Sequence, residues 1–219
     1  APDQRGTDAE RIMLQAAIDR TRALMRQVGK SNQQVITDVW QRDTTRQTLL
    51  NALGLGKYRV WTLRTECALS TLPDTCKLPG GFHIRRATTD DINALNSAYD
   101  AAFGTNRNVD HFRKHVLSKP GHNITDHVLV NAPDGRVAAF THIWFDHLNH
   151  IGLFEPVGTS PHFQRMGLAR ALMTHTLHLM AQAGMKSAQV NHTITNTAAY
   201  RLYYRLGFRG KHIIYGYTT

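Results

Sequence analysis

The segment Ser160-Pro161-His162-Phe163-Gln164-Arg165-Met166-Gly167-Leu168-Ala169 has the residue types and spacing to hold an anion. Ile151 to Thr159 before it reads as a strand, and Leu168, Leu172, Leu179 and Ala183 after it recur at helical spacing. A helix N-terminus presents backbone N–H groups that no helical carbonyl reaches, together with a partial positive charge. A phosphate can sit there without a dedicated side chain. Gly167 lets that backbone approach a ligand closely. About thirty residues on, Asn196-Thr197-Ala198-Ala199-Tyr200-Arg201-Leu202-Tyr203-Tyr204-Arg205-Leu206-Gly207-Phe208 reads as a short helix. Asn196 is a good N-cap, Ala199, Leu202 and Leu206 form one apolar stripe, and Gly207 supplies a left-handed stop. Tyr203 lies beside that stripe, where its ring can be part-buried while its hydroxyl reaches a neighbouring cleft.

Together the two segments resemble the GNAT superfamily of acyl-CoA-dependent N-acetyltransferases. Gln164 to Ala169 follows that family's pyrophosphate signature, Gln/Arg-x-x-Gly-x-Gly/Ala. Asn196 to Phe208 follows its Asn-x-x-Ala-x-x-x-Tyr-x-x-x-Gly-Phe helix. The resemblance covers about Gly81 to Thr219. It implies a GNAT fold of the α/β (α+β) class: a mixed, mostly antiparallel sheet with a splayed central strand pair, flanked by helices. It also implies acetyl-CoA as co-substrate, held by Gln164, Arg165, Met166, Gly167, Leu168, Ala169, Arg170 and Asn196. Backbone N–H groups around Val157, Gly158 and Thr159 would polarise the acyl carbonyl, an oxyanion-type arrangement.

Acyl transfer from a thioester to an amine needs a polarised carbonyl, a deprotonated amine and a protonated leaving thiolate. The resemblance gives the last task to Tyr203, which matches the motif position; Tyr200 and Tyr204 are alternatives by residue type only. Glu155 is the leading general base, as the sole carboxylate beyond Asp146 and a residue of the strand feeding the phosphate turn. Orienting the substrate or pairing with an arginine are its other open roles, and His150 and His142 are weaker base candidates. The leading function is therefore acetyl transfer to a primary amine of a small molecule by direct attack on the thioester. A non-catalytic acyl-CoA-binding regulatory domain and transfer of a longer acyl group are the alternatives. The acceptor surface is expected from about Ala101 to Pro120 and Asp146 to His150, which carry no recognisable code.

The elements that must position these residues are legible from Phe82 onward. Phe82 to Arg86 reads as a strand, and Thr88-Thr89-Asp90-Asp91 caps a helix carrying Ile92, Leu95 and Ala102. A second helix is predicted over His111 to Leu117, then strands at Val128 to Val130, Val137 to Phe145 and Ile151 to Thr159. The long helix is predicted from Gln164 to about Ala183, a strand from Ala188 to His192, the motif helix from Asn196, and a last strand from Ile213 to Tyr217. Pro156 cannot donate to a sheet ladder, so the strand feeding the turn must be bulged or unpaired there.

The first eighty residues echo the last fifty. Leu24-Met25-Arg26-Gln27-Val28-Gly29 parallels Leu179-Met180-Ala181-Gln182-Ala183-Gly184, and Leu53-Gly54 parallels Leu206-Gly207. With a small gap, Asp8 falls where the phosphate turn has Gly167, and an acidic residue there would repel a pyrophosphate. Residues 1–69 are thus expected to be a partial, degenerate GNAT-like unit (helix, strand, helix, strand). Residues 70–81, with Pro73, Pro79 and Gly80-Gly81, form a linker, and residues 82–219 the catalytic domain. A half-sheet exposes an edge, to be covered by residues missing ahead of Ala1 or by a second copy in a homodimer.

Composition bounds the rest. The formal charge is +10, and beyond Asp146 seven cations (Arg165, Arg170, Lys186, Arg201, Arg205, Arg209 and Lys211) face the single acid Glu155. That field suits the phosphates of coenzyme A. The basic residues are dispersed and no nucleic-acid motif occurs, so nucleic acid is not an expected partner. No apolar run approaches the ~18 residues of a membrane span, and no signal peptide is recognisable. Cys67 and Cys76 need no disulfide framework, which points to a cytoplasmic setting. Of the thirteen histidines, His111/His115 and His175/His178 have helical spacing, but neither pair has a carboxylate or cysteine at ligand spacing, so no metal site is expected.

Overall fold

Val128-Leu129-Val130 and the apolar run from Val137 form adjacent antiparallel strands, β4 (His127–Asn131) and β5 (Val137–Asp146), and every residue of β4 is buried. The computed structural model describes residues 4–30 and 32–219; Ala1 to Asp3 and Ser31, and what was expected of the chain's start, lie outside the described residues. Two compact units emerge. One gathers the chain up to Arg64 with His192–Thr197 and Gly210–Thr219; the other holds Thr65–Asn191 and Ala198–Arg209.

In the larger unit the sheet order is β7-β6-β5-β4-β3, with β3 at His83–Arg86, β6 at Ile151–Thr159 and β7 at Ser187–His192. Pairing is antiparallel from β3 to β6 and parallel between β6 and β7. The end of β2 (Gly56–Ala68) follows β7 in that order. Helices α3 (Ile92–Phe103) and α4 (Val109–Phe112) contribute to a core built on Leu95, Tyr99, Phe112, Leu129 and Phe140. A widened turn, Arg113–Leu117, continues α4. Helix α5 (Leu168–Gln182) buries Leu168, Leu172, Met173, Leu177 and Met180 in a second core, which also contains Phe154, Val190, Tyr203, Leu206 and Phe208. Each such side chain stabilises by roughly 1.5–3 kcal/mol on removal from water, so this face fixes where the start of α5 lies.

One expectation is corrected. The long helix does not start at Gln164: Pro161–Phe163 make a single 3₁₀ turn, and the helix begins at Leu168. Arg165 and Gly167 have φ of 63° and 79°, which no α-helix accommodates. The segment expected as a linker has no strand or helix, yet it packs on α5: Leu72 and Leu78 lie against the core, and His178 Nε2 sits 3.0 Å from the Pro73 carbonyl oxygen.

In the smaller unit, α1 (Asp8–Gln27) and α2 (Thr44–Ala52) accompany strands in the order β1-β8-β2, with β1 at Ile36–Trp40 and β8 at Arg209–Thr218. β1 and β8 pair antiparallel, from Ile36↔Thr218 to Trp40↔Ile214. Ile18, Val39, Leu50, Leu55 and Tyr217 form its core. Among the described residues no helix is long and apolar enough to cross a membrane.

Candidate active site

The bulge required by Pro156 lies in the β5/β6 ladder. Thr141 pairs with Val157 and Ile143 with Phe154, so Glu155 and Pro156 together oppose His142 alone. The extra residue resets the alternation of side chains. Phe154 and Val157 both pack into the α5 core, whereas Leu153, Glu155 and Pro156 line a cleft of about 470 Å³ with Tyr99, Arg107, Lys119 and Trp144.

On its other edge β6 leaves its neighbour. The β6/β7 register runs from Ile151↔Ser187 to Phe154↔Val190 and stops there, while β6 continues to Thr159. The Ser160 N–H donates to the Ala138 carbonyl on β5, at 2.9 Å. Backbone groups alternate sides along a strand, so Gly158 also faces β5, and the N–H groups of Val157 and Thr159 face the opening beside β7. Gly158 faces Phe140 closely: a Cβ at that position would come within 2.3 Å of the ring.

Beyond Thr159 the chain reaches the N-terminus of α5. No side chain caps this end, and its first turn carries no acidic residue. The Ala171 N–H is the first to bond back, to the Gly167 carbonyl oxygen at 3.1 Å, so the N–H groups of Leu168, Ala169 and Arg170 project forward. Gly167 has open space where a Cβ would stand, and its φ is what demands glycine. Gln164, Arg165 and Met166 form the exposed loop ahead of it.

Tyr203 lies in α6 (Thr197–Arg205), only 7 % exposed, its ring packed in the same core as Phe154 and Val190. Burial pushes its phenol up to about 12. Tyr200 and Tyr204 of the same helix are exposed. Asn196 directly precedes α6 and groups with the smaller unit. The structure therefore brings Tyr203 together with the splayed strand on the α5 face and sets Glu155 on the α3 face.

Residues of the α3 face that the spacing analysis missed complete the cleft. His127 and His142 are cross-strand partners on β4 and β5, both buried, and His122 reaches them from the preceding loop. His122 Nε2 and His127 Nε2 lie 2.9 Å apart. Burial first, then the neighbouring imidazoles, push His127 down to about 2; burial and His122 push His142 down to about 4, opposed by the Asn123 backbone. The Tyr99 hydroxyl is buried beside them without a hydrogen-bond partner, its phenol pushed up by burial and, more weakly, by the Glu155 charge, with Arg107 opposing. Only the pairing of β4 with β5 gathers these residues; His150, the other histidine considered as a base, is exposed and directs Nδ1 at the Gly184 carbonyl oxygen, 3.2 Å away.

The sequence profile of the acetyltransferase (GNAT) family matches residues 92–208, from α3 to the glycine after α6 and one residue beyond. The chain belongs to that family. A mycothiol acetyltransferase of Arthrobacter sp. (strain FB24) is 28% identical over 158 residues, which is 68% of this chain and 49% of the relative. The chain thus spans about half the length of that curated relative. A GCN5-related N-acetyltransferase from Sphaerobacter thermophilus aligns with a TM-score of 0.69 at 20% identity, over 85% of this chain and 60% of that one. A tandem GNAT protein from the clavulanic acid biosynthesis pathway, solved without acetyl-CoA, aligns with a TM-score of 0.73 at 12% identity, over 91% and 67%. At these identities the two structures speak for the fold.

Proposed function

We propose that this chain carries an acetyl-CoA-dependent N-acetyltransferase acting on a primary amine of a small molecule. One observation carries the reading: β6 parts from β7 after Phe154 and leads, through one 3₁₀ turn and a short loop, to the uncapped, glycine-gated start of α5. The opening suits a pantetheine arm, and the helix start suits the pyrophosphate. The thioester would approach from the α5 face and the amine through the Glu155 cleft, meeting at the gap. Nitrogen attacks the carbonyl carbon while the Val157 and Thr159 N–H groups stabilise the oxyanion. The C–S bond then breaks, the thiolate takes the Tyr203 proton, the nitrogen's proton leaves through Glu155 to solvent, and solvent returns a proton to the Tyr203 phenolate. The curated relative's name makes the mycothiol series the first acceptors to screen.

Residues 1–69 fit a degenerate copy of the back half of such a domain. Their helix-strand-helix-strand order repeats that of α5, β7, α6 and β8, and α2 and α6 begin and end at positions 153 residues apart. Where the working copy leaves its helix end open, this one fills it. The Gly6 N–H donates to the Glu10 carboxylate at 2.6 Å, and that contact first, then Arg46, holds Glu10 below the ordinary carboxylate range.

The test is calorimetric titration of acetyl-CoA into the chain, with Gly167→Glu as control, followed by an amine screen read by thiol release. Micromolar binding lost in the variant supports the reading; no binding to folded protein rejects it.

A further inference from the structure

Six ring nitrogens of His122, His127 and His142 share a single hydrogen bond among themselves, the 2.9 Å contact between His122 Nε2 and His127 Nε2. His127 and His142 are 0% and 2% exposed, and His127 Nδ1 and both nitrogens of His142 have no hydrogen-bond partner of good geometry. Leaving a buried polar atom unpaired costs about 1–3 kcal/mol, so this cluster lacks something that would satisfy it. One nitrogen from each of the three rings lies within 4.8 Å of the other two. We propose that His122, His127 and His142 bind a zinc-class divalent cation in the cleft lined by Glu155.

The geometry is near that requirement. With Zn–N bonds of about 2.0–2.1 Å, tetrahedral coordination sets ligand nitrogens about 3.4 Å apart, between the closest contact and the outer limit found here. Two of the ligands are fixed, because His127 and His142 stand opposite each other in the β4/β5 register. The third is adjustable: His122 is half-buried on a loop and stacks on His142 at 8° with centroids 4.6 Å apart, so a small turn of its ring brings its lone pair to the same point. Three neutral imidazoles leave a fourth position, and the rings share the cleft with Glu155, Tyr99 and Trp144. Imidazole ligation of this kind suits zinc, copper or nickel far better than magnesium or calcium. A three-histidine site with an open position can hold an acceptor's nitrogen, oxygen or sulfur. The inference stands apart from the acetyl-transfer reading, since neither needs the other.

The experiment uses the whole chain, stripped with chelator and dialysed, and zinc ion alone as probe in calorimetry. One zinc per chain at about micromolar affinity or tighter is expected, weakened about 100-fold or more by His122→Ala and unchanged by the surface pair His111→Ala/His115→Ala. Circular dichroism checks each fold. Should His122→Ala fail to fold, cobalt in the unaltered chain decides: intense visible bands of four-coordinate cobalt support the site, and weak six-coordinate bands overturn it. Absence of zinc binding, or loss only with the surface pair, overturns it equally. Acetyl-CoA binding is read separately, so failure here leaves the enzyme reading where it was.

Discussion

Phe154 and Val190 form the last paired rung between β6 and β7. Below that rung the strands share a parallel ladder; above it β6 keeps its β5 partner alone as far as Thr159. Losing ladder hydrogen bonds on one side of a strand is costly unless another group takes them. The opening therefore reads as a slot for a ligand that itself offers amide-like acceptors. Tyr203 and Phe208 share the α5 core with that rung, so the proposed general acid lies in the same packed cluster as the end of the ladder.

Tyr203→Phe is expected to reduce kcat by about 10²-fold or more while leaving acetyl-CoA affinity nearly unchanged, because the ring's packing survives and only the proton donor is lost. A phenol pushed up to about 12 stays protonated well beyond ordinary assay conditions. The unaltered enzyme should accordingly show no alkaline fall in kcat from this group through about pH 10. Steady-state thiol release across pH, paired with calorimetry, checks both. Full activity in the variant would remove Tyr203 from the mechanism.

Gly167→Ala tests the turn without adding charge. A φ of 79° costs a non-glycine residue about 1–2 kcal/mol, and a methyl there meets no protein atom within 4 Å, so the strain falls on the turn itself. We expect acetyl-CoA affinity to fall about tenfold in Gly167→Ala and beyond detection in Gly167→Glu, with Tm lowered by roughly 2–8 °C in both. Equal affinity in all three proteins would move the coenzyme elsewhere.

Glu155→Gln keeps size and shape but cannot take a proton. With the bulge turning Glu155 and Pro156 into the same cleft, the variant should lose about 10²-fold in kcat/KM for the amine and keep its coenzyme affinity. If KM alone rises and kcat is unchanged, Glu155 orients the acceptor and water carries the proton.

Much of the fold is legible in local pattern, and what escapes it is local backbone conformation and long-range pairing. The strand Ile151–Thr159, the bulge at Pro156, the stop at Gly207 and the element order all follow from local pattern, where composition and period suffice. The start of α5 was misplaced because apolar spacing does not report φ, and Arg165 adopts a left-handed conformation that its residue type does not announce. The histidine cluster was invisible to a search at helical spacing. His122, His127 and His142 meet only through the register His127↔His142, a long-range fact set by strand pairing. Residues 70–81 were read from proline and glycine as a linker. The pattern excludes a ladder there, and it does not report that Leu72 and Leu78 pack against the core.

Gly158→Ala probes the packing under the slot. A Cβ would meet the Phe140 ring at 2.3 Å, and Phe140 is stacked on Tyr99 at 4.3 Å and so cannot retreat. Overpacking of this kind costs about 1–3 kcal/mol, to be read as a lower urea midpoint. Phe140→Leu in the same chain should recover part of the loss; a fully additive double variant would show that the two residues do not compete for space.

Acid should weaken the α3 end of the domain through one pair. Asp91 accepts from Arg85 Nη1 at 2.7 Å and Nη2 at 2.6 Å, and its carboxylate also takes the Thr88 N–H at 2.8 Å in a capping box. The Arg85 hydrogen bonds first, then the Thr88 backbone, outweigh desolvation and hold Asp91 down to about 2 from 3.8. A folded value below the unfolded one means that the ionised form is favoured by folding. The contribution is whole above about pH 4 and is lost as pH falls toward 2. Since Arg85 is 36% exposed, solvent reduces it to on the order of 1–2 kcal/mol. Urea unfolding of the unaltered chain and Asp91→Asn at pH 6 and at pH 2.5 isolates it from the other acids. The gap between the two midpoints should be largest at pH 6 and shrink to roughly a third at pH 2.5, and a gap that does not shrink would assign the effect to the cap's shape instead of its charge.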